Sequence, residues 1–184
     1  MNVYIFGGSF NPPHVAHVLA VTYVLATEDA DLVLVVPCNQ HPLGKELDSF
    51  EHRFAMCELA MGWLPRTVVS RVEEELGGES RTLRTIEHLS QRNPDWRMRL
   101  VVGADILLEG KRWYGFDRVV ELAPLLVLGR AGAKVEGAPW PVLPEVSSRA
   151  IREAIGARRP ADLGAIVPRA VLSYIDEHRL YRET

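Results

Sequence analysis

Apolar residues in this chain alternate between two rhythms. Some runs are apolar almost without a break: Val3-Tyr4-Ile5-Phe6, then residues 32–36, 67–72, 98–102 and 125–128. Runs this short and rich in β-branched residues predict strands buried on both faces. Between them, residues 14–26, 51–64 and 82–91 carry apolar positions at three- and four-residue spacings, which predicts helices. A last amphipathic helix is expected over residues 168–177, with Pro168 near its first turn. Strands alternating with helices in this way predict an α/β protein with a parallel sheet covered on both sides. In such a sheet, ligands bind beyond the carboxyl ends of the strands, where the strand order reverses. The first strand ends in Gly7-Gly8, so that rule directs attention to the loop behind it.

Two connections are longer than folding economy requires. Residues 37–50 join the second strand to the next helix, and residues 129–144 are rich in glycine and proline. There is no internal repeat, low-complexity tract or linker, so 184 residues are expected to form a single domain over 1–184. That domain includes a C-terminal helical segment from about residue 147. Composition is ordinary for a globular protein, at 47% hydrophobic and 24% charged. A net charge of −3 argues against a surface that coats nucleic acid. No apolar run reaches membrane-spanning length, and Met1 leads almost directly into the first strand. Two cysteines, Cys38 and Cys57, are too few for a disulfide framework and fit a reducing cytoplasm.

The chemistry is concentrated in Gly7-Gly8-Ser9-Phe10-Asn11-Pro12-Pro13-His14-Val15-Ala16-His17. Glycines let backbone amides approach a ligand, and the helix that follows turns its partly positive end toward the same loop. His14 and His17, three residues apart, lie on one face of the first turn. The combination is suited to phosphate. It is neither Gly-x-x-x-x-Gly-Lys-Ser/Thr nor Gly-x-Gly-x-x-Gly, which argues against a P-loop protein or a dinucleotide-dependent oxidoreductase.

A second cluster is Ser147-Ser148-Arg149-Ala150-Ile151-Arg152. Either serine can cap the helix behind it, and Arg152 supplies a two-pronged donor for phosphate. Gly103 at the end of the fourth predicted strand lets the backbone approach a ligand. Asp105 can accept hydroxyl donors, cap a helix at Ile106, or do both. Trp113 follows, either as a stacking surface or as core packing.

Taken together, these residues resemble the bacterial nicotinate-nucleotide adenylyltransferase family of the nucleotidyltransferase superfamily. The first stretch matches its Gly-Gly-x-Phe-x-Pro-x-His-x-x-His signature. Ser147–Arg152 matches Ser-Ser-Thr-x-x-Arg, with Arg149 in place of Thr. Similar landmarks run through Lys45 and Arg53, through Ser80-Arg81-Thr82-Leu83-Arg84-Thr85, through Arg130-Ala131-Gly132, and into Leu180-Tyr181. The segment at Ser80 departs from the family twice, with Arg81 for Tyr and Arg84 for Asp.

The resemblance implies a Rossmann-like, doubly wound, three-layered fold and adenylyl transfer from ATP to nicotinate mononucleotide. His14, His17, Lys45 and Arg152 are then the catalytic candidates. Gly7, Gly8, Ser9, Phe10, Gly103, Asp105, Arg130, Ser147 and Ser148 are candidates for holding the nucleotide. Arg81, Thr82, Thr85 and Trp113 are candidates for the acceptor. Mg2+ is expected to travel with the ATP phosphates rather than sit on a protein metal site, and a homo-oligomer is left open. Other acceptors (nicotinamide mononucleotide, phosphopantetheine, a polyol phosphate) stay in play, as does a non-catalytic nucleotide sensor. A zinc hydrolase built on His14, His17, Cys38 and His41 is a further alternative.

Overall fold

Strand β1 (Asn2–Gly8) occupies the middle of a six-stranded parallel sheet, paired with β2 (Leu32–Pro37) on one side and β4 (Arg97–Gly103) on the other. The computed structural model describes residues 1–42, 44–104, 106–109, 113–132, 136–157 and 163–182, with 107 and 109 in backbone only. From β1 the chain winds outward through β2 to the edge strand β3 (Thr67–Val69). It then crosses back to β4, β5 (Leu125–Arg130) and the far edge β6 (Pro141–Leu143). The order β3-β2-β1-β4-β5-β6 reverses between β1 and β4, so the crevice outside those two carboxyl ends is the switch point.

Alternation along β1 divides the core. Tyr4 faces one apolar cluster with Val33, Val35, Val101 and Leu128, covered by α1 (Val15–Thr27), α2 (Phe50–Met61), α7 (Ser148–Gly156) and α9 (Arg169–Glu177). Val3 and Ile5 face the other, with Leu34, Val36, Leu100 and Val102. That side is covered by α3 (Val72–Leu76), α4 (Thr82–Arg92), α5 (Ile106–Glu109) and α6 (Phe116–Leu122). Sheet and two helical layers make the doubly wound α/β fold that the alternation implies. A short helix, α8 (Leu163–Ile166), precedes α9.

Three departures from the sequence pattern have local causes. The third strand ends at Val69, not at residue 72: Val72 opens α3, with its N–H bonded to Ser70 Oγ at 3.2 Å. Glu73, Glu74 and Glu75 then fill the first turn, where acidic side chains favour a helix start. The span 129–144 is not all loop, because Pro141–Leu143 pairs with β5. Its exposed residues give no burial signal to read. Helix α6 is missed because it is only seven residues long and begins after Gly115, whose φ of 66° is open to glycine. Among the described residues, no helix is long and apolar enough to cross a membrane.

Strand β6 can approach β5 only because residue 129 lacks a side chain. A Cβ there would overlap the carbonyl oxygens of Pro139 and Trp140, which are backbone and cannot swing aside. Gly129→Ala is therefore expected to lose about 1–3 kcal/mol of stability. Gly164→Ala in α8, where a Cβ meets open space, should leave the urea midpoint unchanged or raised. Equal midpoints for the two variants would contradict this account of β6.

Candidate active site

The loop after β1 begins at the switch point and runs into α1. Phe10 holds a left-handed backbone conformation (φ 46°), unfavourable for an aromatic residue, yet its ring is 1% exposed. The ring packs edge-on against Phe6 at 5.5 Å and His17 at 4.9 Å, and that packing holds the backbone where it is. A Cβ on Gly8 would crowd the Phe10 ring at 3.0 Å, so Gly8 is what gives the ring its place.

His14 is the N-cap of α1, and its backbone N–H donates to His17 Nδ1 at 3.0 Å. That bond fixes a tautomer: with Nδ1 accepting, a neutral His17 carries its proton on Nε2 and presents a donor. The two rings stack with centroids 3.8 Å apart. Burial holds His14 down to about 4, helped by the positive charge of Arg130. Burial also pushes His17 well below the ordinary range, with His14 and Arg130 adding to the effect. Both rings are thus neutral at pH 7. Among the described residues His14 Nδ1 is buried without a hydrogen-bond partner, an uncommon condition for a buried polar atom.

Arg130, at the end of β5, lies close enough for its charge to act on both rings, and its Nη2 donates to the Val146 carbonyl. Ser147 caps α7 by accepting from the Ala150 N–H at 3.2 Å. Ser148 and Arg152 turn back to the first loop: Ser148 Oγ donates to the Pro12 carbonyl at 2.8 Å, and Arg152 Nη1 to the Asn11 carbonyl at 2.6 Å. Both motifs therefore meet in space, with the second bracing the first. Arg149 points outward, 83% exposed and paired with Glu153 at 2.8 Å. Lys45 is exposed in the loop after β2, near enough for its charge to act on Cys38 and His41.

Between the carboxyl ends of β1 and β4 lies a cavity of about 160 Å³ lined by Phe6, Gly7, Gly103, Ile106 and Trp113 among others. Asp105 lies outside the described residues. Trp113 packs edge-on against Phe116 at 6.3 Å and forms one wall. At the start of α4, no side chain among the described residues caps the helix. Ser80 bonds the Asn39 N–H through Oγ and the Gln40 carbonyl through its own N–H, which fixes α4's first turn against the loop after β2.

The acceptor-side candidates are used less uniformly than their spacing suggests. Thr82 is half-buried at the start of α4, whereas the Thr85 hydroxyl is buried and donates to Glu73 Oε1 at 3.0 Å. Arg81 pairs with Glu79 and lies over the Tyr114 ring. Arg84 donates to the carbonyls of Leu76 and Gly77 at the end of α3. A larger cavity of about 350 Å³ opens at the opposite, amino ends of the strands. It lies away from the glycine loop, the histidines and the helix starts. Among the described residues no three His, Cys, Asp or Glu side chains come together to hold a metal, so His14, His17, Cys38 and His41 do not form a zinc site.

Residues 5–154 match the cytidylyltransferase-like family. The chain is 47% identical to a probable nicotinate-nucleotide adenylyltransferase of Anaeromyxobacter dehalogenans (strain 2CP-C), over 97% of this chain and 95% of that protein. It is 36% identical to the nicotinate-nucleotide adenylyltransferase of Bacillus subtilis (strain 168), over 96% of each. The chain belongs to the nicotinate-nucleotide adenylyltransferase family. Its fold also matches the Plasmodium falciparum nicotinic acid mononucleotide adenylyltransferase solved with NaAD. There the TM-score is 0.84 at 17% identity, covering 98% of this chain and 97% of that one.

Arg53 is the site residue that spacing alone undervalued. It is 1% exposed, and its guanidinium donates to the carbonyls of Ser9, Cys38, Asn39 and Asp48. The signal for it was present: a charged residue in the middle of an otherwise apolar helical face is seldom buried without a specific set of partners.

The buried histidines make stability depend on pH. Their pKa values are lower in the folded chain than the ordinary 6.5, so below that pH the unfolded chain binds more protons. The stability tied to the rings is complete above pH 6.5 and is lost as pH falls toward 4. For His14 alone the loss by pH 5 is about 2 kcal/mol. Urea midpoints at pH 7.5 and 5.0 are expected to fall more for the wild type than for His14→Asn. Parallel falls would contradict it.

Proposed function

We propose that this protein transfers the adenylyl group of ATP to nicotinate mononucleotide, releasing pyrophosphate and forming the deamidated dinucleotide. The observation that carries this reading is the histidine pair at the start of α1. His17 Nδ1 is occupied by the backbone N–H of the N-cap residue His14, which leaves Nε2–H as a neutral donor beside the glycine loop. Phosphoryl groups are stabilised by fixed donors of this kind.

In the reaction, a phosphate oxygen of the acceptor attacks the α-phosphorus of ATP. The bond from that phosphorus to the bridging oxygen of the β-phosphate breaks, and pyrophosphate leaves with the electron pair. The attacking phosphate is already ionised at neutral pH, so no side chain need remove a proton. Catalysis consists of alignment and of stabilising charge on the α-phosphate oxygens. His17 donates to that group from Nε2, with His14 stacked behind it. Arg130 and Lys45 supply positive charge on the triphosphate side, and Arg152 reaches it from the brace at Asn11. Mg2+ would travel with the ATP phosphates and would help to neutralise charge on the triphosphate.

The ATP base and ribose occupy the space bordered by Gly103 and Ser147, with Asp105 for the ribose. The acceptor lies across the crevice, its pyridine ring on Trp113 and its carboxylate on the uncapped first amides of α4 near Thr82. Arg84 is committed to α3 and does not contribute to this recognition. A carboxylate satisfies those amides, whereas a carboxamide turns an NH2 donor toward them and leaves both sides unpaired.

Two outcomes are expected. His17→Asn keeps an oxygen that can accept the His14 amide while removing the imidazole donor. It should retain the fold and lower kcat on the order of a hundredfold, with the KM for ATP little changed. Turnover within about threefold of wild type would remove His17 from the mechanism. In parallel assays, nicotinate mononucleotide should exceed nicotinamide mononucleotide by at least about a hundredfold in kcat/KM. Comparable values would reject the nicotinate assignment and leave adenylyl transfer standing.

A further inference from the structure

We infer that Arg53 is a positioning residue that holds the two phosphate-side loops in mutual register, acting through backbone carbonyls and never touching substrate. The inference rests on the adenylyl-transfer reading for what the loops do, but its evidence is separate. Arg53 projects from the first turn of α2 and is 1% exposed, which excludes contact with a ligand. Nη1 donates to the Ser9 carbonyl at 3.1 Å, in the loop after β1, and to the Cys38 carbonyl at 2.6 Å, in the loop after β2. Nη2 reaches the Asn39 carbonyl at 3.3 Å, and Nε reaches Asp48 at 2.9 Å. One planar group therefore ties the glycine loop, both ends of the residue 38–48 loop and α2 together.

No salt bridge to this guanidinium is found among the described residues, and its hydrogen bonds all go to backbone carbonyls of the two loops. With the Ser9 carbonyl turned toward Arg53, the neighbouring amides of the glycine loop are left to face the ligand, while the Cys38, Asn39 and Asp48 amides are bonded within the fold. The same bonds set where Lys45, seven residues past Cys38, stands relative to His14 and His17. A fork with donors on three nitrogens can span these acceptors at once, whereas the single ammonium of lysine cannot.

The effect belongs in kcat. A shift of about 1 Å in the relative position of groups that meet the transition state costs on the order of a hundredfold. Ground-state contacts, spread over many donors, change less. Wild-type turnover of ATP with nicotinate mononucleotide, in the same assay, tests the adenylyl-transfer reading by itself. The ratio of variant to wild type tests this one. Arg53→Lys keeps the charge and Arg53→Met removes it, and both keep much of the aliphatic stem. Both variants are expected to fold by circular dichroism. Both should lose on the order of a hundredfold in kcat, with the KM for ATP within about fivefold of wild type. Three results would overturn the inference. Arg53→Lys could retain kcat within about threefold, making charge and not geometry the requirement. KM could rise at constant kcat, making Arg53 a contributor to ATP binding. Both variants could fail to fold, making it part of the folding core.

Discussion

A loop that offers its amides to a phosphate must send its carbonyls somewhere else, and in this protein they are sent into the molecule. Buried carbonyls need donors, and the loop after β1 cannot supply its own. Arg53 donates to Ser9, Arg152 to Asn11 and Ser148 to Pro12, while the Tyr181 hydroxyl donates to Asn11 Oδ1 at 2.8 Å. These donors come from α2, α7 and the segment after α9. The far end of the chain is thereby part of the site without facing it. The central sheet places the loop, but this ring of donors decides which of its polar groups point outward.

The same arrangement sets the electrostatics. Packing Phe10 against His17 and stacking His14 behind it strips much of the water from both rings, and Arg130 adds a positive neighbour. Each effect favours neutral imidazole. A neutral ring with a fixed tautomer offers one directed donor and no net charge, so the positive charge at the site comes from arginine and lysine. In the proposed reaction the ring stays neutral, with Nδ1 held by the His14 amide, and Nε2–H is the donor that faces negative charge gathering on the transferring group.

The sheet was legible because strands buried on both faces are written as unbroken apolar runs, as at β1, β2 and β4. The small elements were not, because their causes are not periodic. Val72 reads as strand by residue type, and only the acidic turn behind it and Ser70 Oγ make it helical. Strand β6 exists through the missing side chain of Gly129. Within the site, the glycine loop, the histidine pair and the Ser147 cap were legible from local chemistry. Arg152 and Ser148 read as phosphate ligands because their residue types suit phosphate. What spacing could not reveal is that each also donates to a carbonyl of the first loop.

The departures from the family pattern are best understood by where their side chains go. Arg149 is an exposed partner of Glu153, and a threonine there would face solvent as well. Arg84 closes the carboxyl end of α3, where a cation suits the helix dipole and its last carbonyls. Arg81 stacks on Tyr114 at 4.8 Å between the start of α4 and the turn that carries Trp113. Its aromatic contact does by cation–π attraction what a tyrosine at that position could do by ring packing. All three have partners elsewhere in the fold, so in the proposed reading discrimination between a carboxylate and a carboxamide falls to backbone amides. Those amides are positioned by Ser80 and the packing of Leu83 against Gly115, and they are indifferent to the side chains beside them. A recognition device made of backbone can keep its selectivity while the residues around it change, and these substitutions fit that logic.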